Sequence, residues 1–225
     1  MISYSLKLGT AFNIPIFIHW SVLLAIGGVA YSLGLAGIAL SIMVFASILA
    51  HEYAHALTAR KYVIQTSKIT LHYFGGAASI DLTGATPKQE AVIAGIGPVS
   101  SLCIALIFLL MDLAVAQFAS GRLLVSGVTI LSALGIINIG IAAFNMLPIF
   151  PMDGGRILRA ALQSKFGHVR ATQMALNVSV VLALALVGLA IVKIHALLTI
   201  SIVILVVSFL LKVSYRDAKF DDQMP

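Results

Sequence analysis

Long apolar runs parted by short polar knots set the pattern of this chain. Six stretches, at about 14–31, 34–58, 91–118, 124–147, 174–192 and 195–212, are apolar enough to cross a membrane. A helix needs about 20 such residues to span the hydrocarbon core. Only Lys193, Ile194 and His195 part the last two runs. A single helix from 174 to 212 would be about 58 Å long, too long for one crossing, so a tight turn is expected at Lys193.

Two segments break the helical rhythm. "KITLHYFGGAASI" (68–80) is rich in β-formers up to Tyr73, turns at Gly75–Gly76 and returns through small residues, which predicts a short hairpin dipping back into the membrane. In "FNMLPIFPMDGGRIL" (144–158), Pro148 and Pro151 forbid a regular helix and push the residues before them towards extended backbone. Gly154 and Gly155 then permit a turn before a basic helix from Arg156. The predicted fold class is an all-α polytopic membrane protein of about six transmembrane helices, with a membrane-associated β-hairpin and a broken fourth span. A single domain over residues 1–225 is the economical reading.

Composition agrees. The chain of 225 residues is 60% hydrophobic and 10% charged, against about 25% charged in soluble domains. The net charge of +6 could suit nucleic acid, but basic residues gathered at a cytoplasmic face explain it better, and no nucleic-acid partner is expected. With both termini on one side, that side collects Lys7, Arg60, Lys61, Lys68, Lys88, Arg156, Arg159, Lys165, Arg170, Lys212, Arg216 and Lys219. Only Arg122 and Lys193 fall opposite. The positive-inside rule therefore places both termini in the cytoplasm. The single cysteine, Cys103, excludes an intrachain disulfide.

Against this background His51, Glu52 and His55 in "SILAHEYAHALTARKY" (47–62) stand out. Each ionisable residue deep in a membrane helix costs about 2.5–3.5 kcal/mol on insertion scales, so such groups are functional by default. They spell H-E-x-x-H. Residues four apart share a helix face, so both imidazoles can reach one metal ion, and Glu52 can handle the proton of a bound water. Arg60 and Lys61 should mark the cytoplasmic boundary, which puts His51 about 13 Å below it at helical rise. The site would lie inside the bilayer, nearer the cytoplasm.

A catalytic zinc commonly has three protein ligands. Among the acidic residues, Asp81 and Glu90 fall in the loop between the second and third spans, Asp112 towards the outer end of the third, and Asp217, Asp221 and Asp222 in the tail. Asp153 is left as third-ligand candidate, with His72 and His19 as weaker ones. An ordinary cytoplasmic turn at Asp153–Gly154 is the alternative reading.

A helix that unwinds in lipid frees backbone groups that need partners. The hairpin, through Phe74, Gly75 and Gly76, and the extended segment with Pro148 and Pro151 could supply them by strand addition. An ion or proton transporter is the rival reading, since it too uses intramembrane His and carboxylate groups. It predicts paired half-structures, and no matching second half is visible.

"HEYAH" (51–55), followed by "NMLPIFPMDG" (145–154), resembles the site-2 protease family of intramembrane zinc metalloproteases. "IPIFIHWS" (14–21), "FGGAA" (74–78) and "AGIGPVSSL" (94–102) are similar to features of its compact prokaryotic members. The resemblance implies one Zn2+ per chain held by His51, His55 and Asp153, with Glu52 as general base. It implies that Asn145 helps to hold the active-site segment or to polarise the scissile carbonyl. It also implies a multi-pass protein of a prokaryotic cell membrane, with the lipid bilayer and a single-span membrane-protein substrate as partners. Neither an inserted PDZ domain nor C-terminal CBS repeats are present in this chain, whose short tail leaves room for a longer natural protein.

Overall fold

Residues 14–19, expected to open the first membrane helix, are instead a strand. The structure, a computed structural model, describes residues 5–118 and 122–193. Strand β1 (Ser5–Ala11) pairs antiparallel with β2 (Ile14–His19), and Phe12 and Asn13 between them both adopt left-handed backbone, with φ of 51° and 60°. Two such residues give the turn whose twist matches a hairpin, and asparagine tolerates it best. In β2, Ile14 and Ile16 alternate inward and are 2% and 7% exposed. Alternation with a period of two is strand geometry, whereas overall hydropathy argued for a helix.

Helix α1 (Ser21–Lys61) follows at once. Its 41 residues would measure about 61 Å if continuous, but Gly34 breaks it with φ 60° and ψ −140°. The expected spans at 14–31 and 34–58 thus map onto one strand and one interrupted helix. Arg60 and Lys61 close its last turn, where cations suit the helix dipole.

Strands β3 (Thr66–His72) and β4 (Gly75–Ile80) form the expected hairpin, but its turn is Tyr73–Phe74 rather than Gly75–Gly76. The glycines belong to β4, Gly75 pairing with His72 and Gly76 with Leu71. Gly75 carries the unusual backbone, with φ of 135°. β3 also pairs in parallel with β2, and α1 supplies the crossover that parallel strands require. The hairpin is therefore half of a four-stranded sheet, ordered β1-β2-β3-β4. Ile14 of β2 and Ile69 of β3 pack on Ala56 of α1, with Tyr53 and Ala78 alongside. Burying each isoleucine contributes about 1.5–3 kcal/mol. The Tyr53 hydroxyl donates to the Ala11 carbonyl at 3.2 Å, and Arg60 donates to that of Phe12, tying the first turn to α1.

Asp81 accepts the Thr83 N–H at 3.0 Å, and bonds from the side chain and backbone of Thr83 hold its carboxyl below the usual range. Helix α2 (Pro87–Phe118) begins four residues before the expected third span. The Gln89 N–H donates to Thr86 Oγ1 and the Thr86 N–H to Gln89 Oε1, a reciprocal cap, with proline at the first helical position. Glu90 thus lies on a helix, not in a loop. Asp112 of α2 accepts from Ser132 Oγ at 2.8 Å, on helix α3 (Arg122–Asn145). After Asn145, residues 146–152 are neither helix nor strand, and helix α4 runs from Asp153 to Lys193 with a break at Gly167 (φ 75°).

Three of the described helices are long and apolar enough to cross a membrane: Ser21–Lys61, Pro87–Gln117 and Asp153–Leu189. A shorter apolar stretch covers Ile130–Asn145. The expected span 174–192 falls within α4, while 195–212 lies outside the described residues. The chain divides into two compact units, one within Met1–Ala85 and Ile96–Ala143, the other within Thr86–Gly95 and Phe144–Pro225. The second has its own apolar cluster of Ile149, Met152 and Ala183.

Candidate active site

In the first unit, one turn of α1 carries His51 and His55, 3% and 4% exposed. The four-residue spacing sets the rings edge to face with centroids 4.7 Å apart and brings their Nε2 atoms within 3.1 Å of each other. Ser101 of α2, fully buried, lies with its Oγ 2.9 Å from His51 Nδ1. A hydroxyl that accepts from Nδ1–H fixes the tautomer whose lone pair is on Nε2, the arrangement in which histidine binds metal. Gly97, one turn before Ser101 on α2, lets the helix approach these nitrogens. A Cβ there would stand 2.2 Å from His55 Nε2 and 2.7 Å from His51 Nε2. Two buried imidazole nitrogens facing each other fit a divalent ion of the zinc type by donor chemistry.

Glu52 turns to the sheet. Its Oε2 accepts the N–H of Ala78 in β4 at 2.8 Å, which fixes the carboxylate against the strand. Gly76 makes this approach possible, since a Cβ there would meet Glu52 Cγ at 2.6 Å and Ile48 Cγ2 at 3.0 Å. The strand therefore positions the acid as well as packing on the helix.

In the second unit, Asp153 is the first residue of α4 and is 6% exposed. The glycines after it were expected to make a turn, yet both are helical. Their purpose is close approach: a Cβ on Gly154 would meet the carbonyl oxygens of Met146 and Leu147 at 2.3 Å, and one on Gly155 would meet Phe150 N at 2.7 Å. The irregular segment thus folds back on the start of α4. Its two prolines differ, Pro148 half-buried and Pro151 exposed.

Residues 51–55 and 153–155 both fall within stretches that match a known protein family. The profile of Peptidase family M50 covers residues 39–122 and 113–186. The chain belongs to this family, that of the site-2 proteases. A zinc metalloprotease of Methanocaldococcus jannaschii is 34% identical over 211 residues, 92% of this chain and 58% of that protein. A protein of Synechocystis sp. is 32% identical over 179 residues, 73% of this chain and 46% of its own length. The chain thus spans about half the length of the curated relatives it matches. The solved structure of a site-2 protease from M. jannaschii matches with a TM-score of 0.69 at 30% identity, covering 91% of this chain and 94% of that one.

Other candidate residues fall at element ends. Asn145 is the last residue of α3. Phe74 is exposed at the tip of the β3–β4 turn, next to Gly75. His19, a weaker ligand candidate, holds Ser21 Oγ at 2.8 Å through Nδ1, and the same oxygen accepts the Tyr73 N–H at 3.0 Å. His72 ends β3; partial burial pushes its imidazole below the usual histidine range, Glu52 raising it in part and His19 lowering it again. Sequence reasoning missed Ser101 and the role of Ala78, whereas close approach at Gly97 was legible from the small residues around it. The small residues of "AGIGPVSSL" were the available signal, because small side chains in a membrane helix mark close approach.

Gly76→Ala is expected to slow cleavage about 10²-fold with zinc content unchanged, because ordinary contact requires Glu52 to move by about 1 Å. Fragment yield and metal analysis on the same sample check this, and wild-type cleavage would show that the strand does not set the position of Glu52.

Proposed function

We propose that this chain is a zinc-dependent intramembrane endopeptidase that cleaves within or near a transmembrane segment of a membrane-protein substrate. The observation that carries the reading is the pair of buried Nε2 atoms facing each other at 3.1 Å, with Glu52 next to them on the same helix. In this reading His51, His55 and Asp153 hold one zinc ion per chain. Bound there, zinc supplies Lewis acidity towards water and the scissile carbonyl.

The chain's own residues do the rest. Ser101 keeps the His51 lone pair on Nε2. Glu52, steadied by the Ala78 N–H, takes a proton from the attacking water and returns it to the leaving amine. Asn145 holds the active-site segment or polarises the scissile carbonyl. An unwound, single-span substrate pairs with β4, an edge strand of the sheet, at Phe74, Gly75 and Gly76, and Pro148 and Pro151 keep a second substrate-binding segment extended. Edge pairing satisfies the backbone groups that unwinding frees in lipid.

The reading includes six crossings with both termini in the cytoplasm, supported by the distribution of lysine and arginine. Arg60 and Lys61 end α1 nine residues beyond His51, which supports a site inside the bilayer and nearer the cytoplasm.

Metal removal tests the function. The whole chain in detergent is stripped with a chelator, reloaded with zinc and incubated with single-span membrane proteins whose fragments accumulate when it is co-expressed. Cleavage is expected to fall below detection on stripping and to return with about one zinc per chain. Undiminished cleavage by the stripped protein would overturn the reading.

A further inference from the structure

The second unit holds a buried ion pair of its own. Glu90, in the first turn of α2, is 5% exposed. Its Oε1 accepts from both Nε (3.1 Å) and Nη2 of Arg159, in the second turn of α4. The Arg159 guanidinium carbon also lies 5.3 Å from the centre of the Phe150 ring. Phe150 belongs to the irregular segment three residues before Asp153. Its N–H donates to Ser179 Oγ at 2.8 Å, and that buried hydroxyl donates to the Ala175 carbonyl.

The segment that delivers Asp153 is therefore fastened twice. Its backbone is held by Ser179 and its aromatic ring by Arg159, which is itself held by Glu90. A buried ion pair is a poor source of stability, because apolar residues of similar volume often serve as well or better. What it does supply is direction. The planar guanidinium fixes its angle to both the carboxylate and the ring it stacks on, which lysine or an apolar residue cannot do.

We propose that Arg159 is a positioning residue for the metal site. Braced by Glu90 and stacked on Phe150, it sets the path of residues 146–152 and hence the place at which the Asp153 carboxylate is presented. This rests on the reading of Asp153 as a zinc ligand.

The test uses the whole chain in detergent, stripped and titrated with zinc alone and, separately, with Co2+, whose visible absorption reports ligand geometry. The main variant is E90M/R159M, which removes both charges together and so leaves neither buried and unpaired. It is expected to bind zinc at least about tenfold more weakly and to show an altered cobalt band, with a thermal midpoint no lower than wild type. Wild-type affinity and band in that variant would make the pair merely structural and overturn the proposal. If the double variant does not accumulate folded, R159K decides. It keeps the charge beside Glu90 without the planar fork, so an altered band supports positioning and an unaltered one overturns it. Absence of cobalt uptake by the wild type would remove the zinc reading itself and this inference with it. Normal uptake with unchanged variants would remove the inference alone.

Discussion

Gly97→Ala is expected to leave the protein without its metal. The added methyl would stand 2.2 Å from His55 Nε2 and 2.7 Å from His51 Nε2. The shorter separation is close to zinc–nitrogen bond lengths of about 2.0–2.1 Å, so the methyl competes for the space an ion shared by both rings would use. Both imidazoles would have to swing away, and His51 would lose the Ser101 hydroxyl that orients it. Zinc content should fall below about a tenth of an ion per chain, with cleavage reduced at least about 10³-fold, as for a metal enzyme that has lost its Lewis acid. Metal analysis and fragment yield on the same sample check this, with circular dichroism confirming that the helices persist. Full zinc occupancy in the alanine variant would mean that the imidazoles do not form the site.

Glu52→Gln should separate chemistry from metal binding. Glutamine has the same shape, and its amide oxygen can still accept the Ala78 N–H, so the side chain should stay in place. It cannot take a proton. Cleavage should drop by about 10²–10⁴-fold, the usual contribution of a positioned acid–base group, while zinc remains bound because Glu52 is not among the proposed ligands. Comparing membrane-protein fragments between cells expressing wild type and variant would also reveal substrates. Cleavage at the wild-type rate would exclude Glu52 as the base.

The residues most legible in the sequence were those whose cost demanded a reason. His51, Glu52 and His55 lie in an apolar run, and a four-residue spacing on a helix leaves one geometry for the rings. The irregular segment before Asp153 was legible because proline restricts backbone whatever surrounds it. The sheet was less so. Residues 5–11 lack strong β signal, and 14–19 are as apolar as a membrane span, so partnering with β3, about fifty residues away, decided their conformation. The hairpin turn was misplaced because Gly75–Gly76 is a strong turn pair locally, whereas close packing of β4 against Glu52 requires a glycine in the strand at 76. Gly154 and Gly155 were misread for the same cause: glycine signals conformational freedom and absence of bulk alike, and only the neighbours tell which is in use. Glu90 looked like a loop residue until the cap at Thr86 and Gln89 moved the helix start ahead of it.

The strand order has a practical consequence for how the protein can be handled. β1 and β4 form opposite margins of the sheet, with two strands between them. An affinity handle or fluorescent label joined ahead of Ser5 would extend from the margin remote from Ala78 and Glu52, so purification and imaging can proceed from that end without crowding the strand that steadies Glu52.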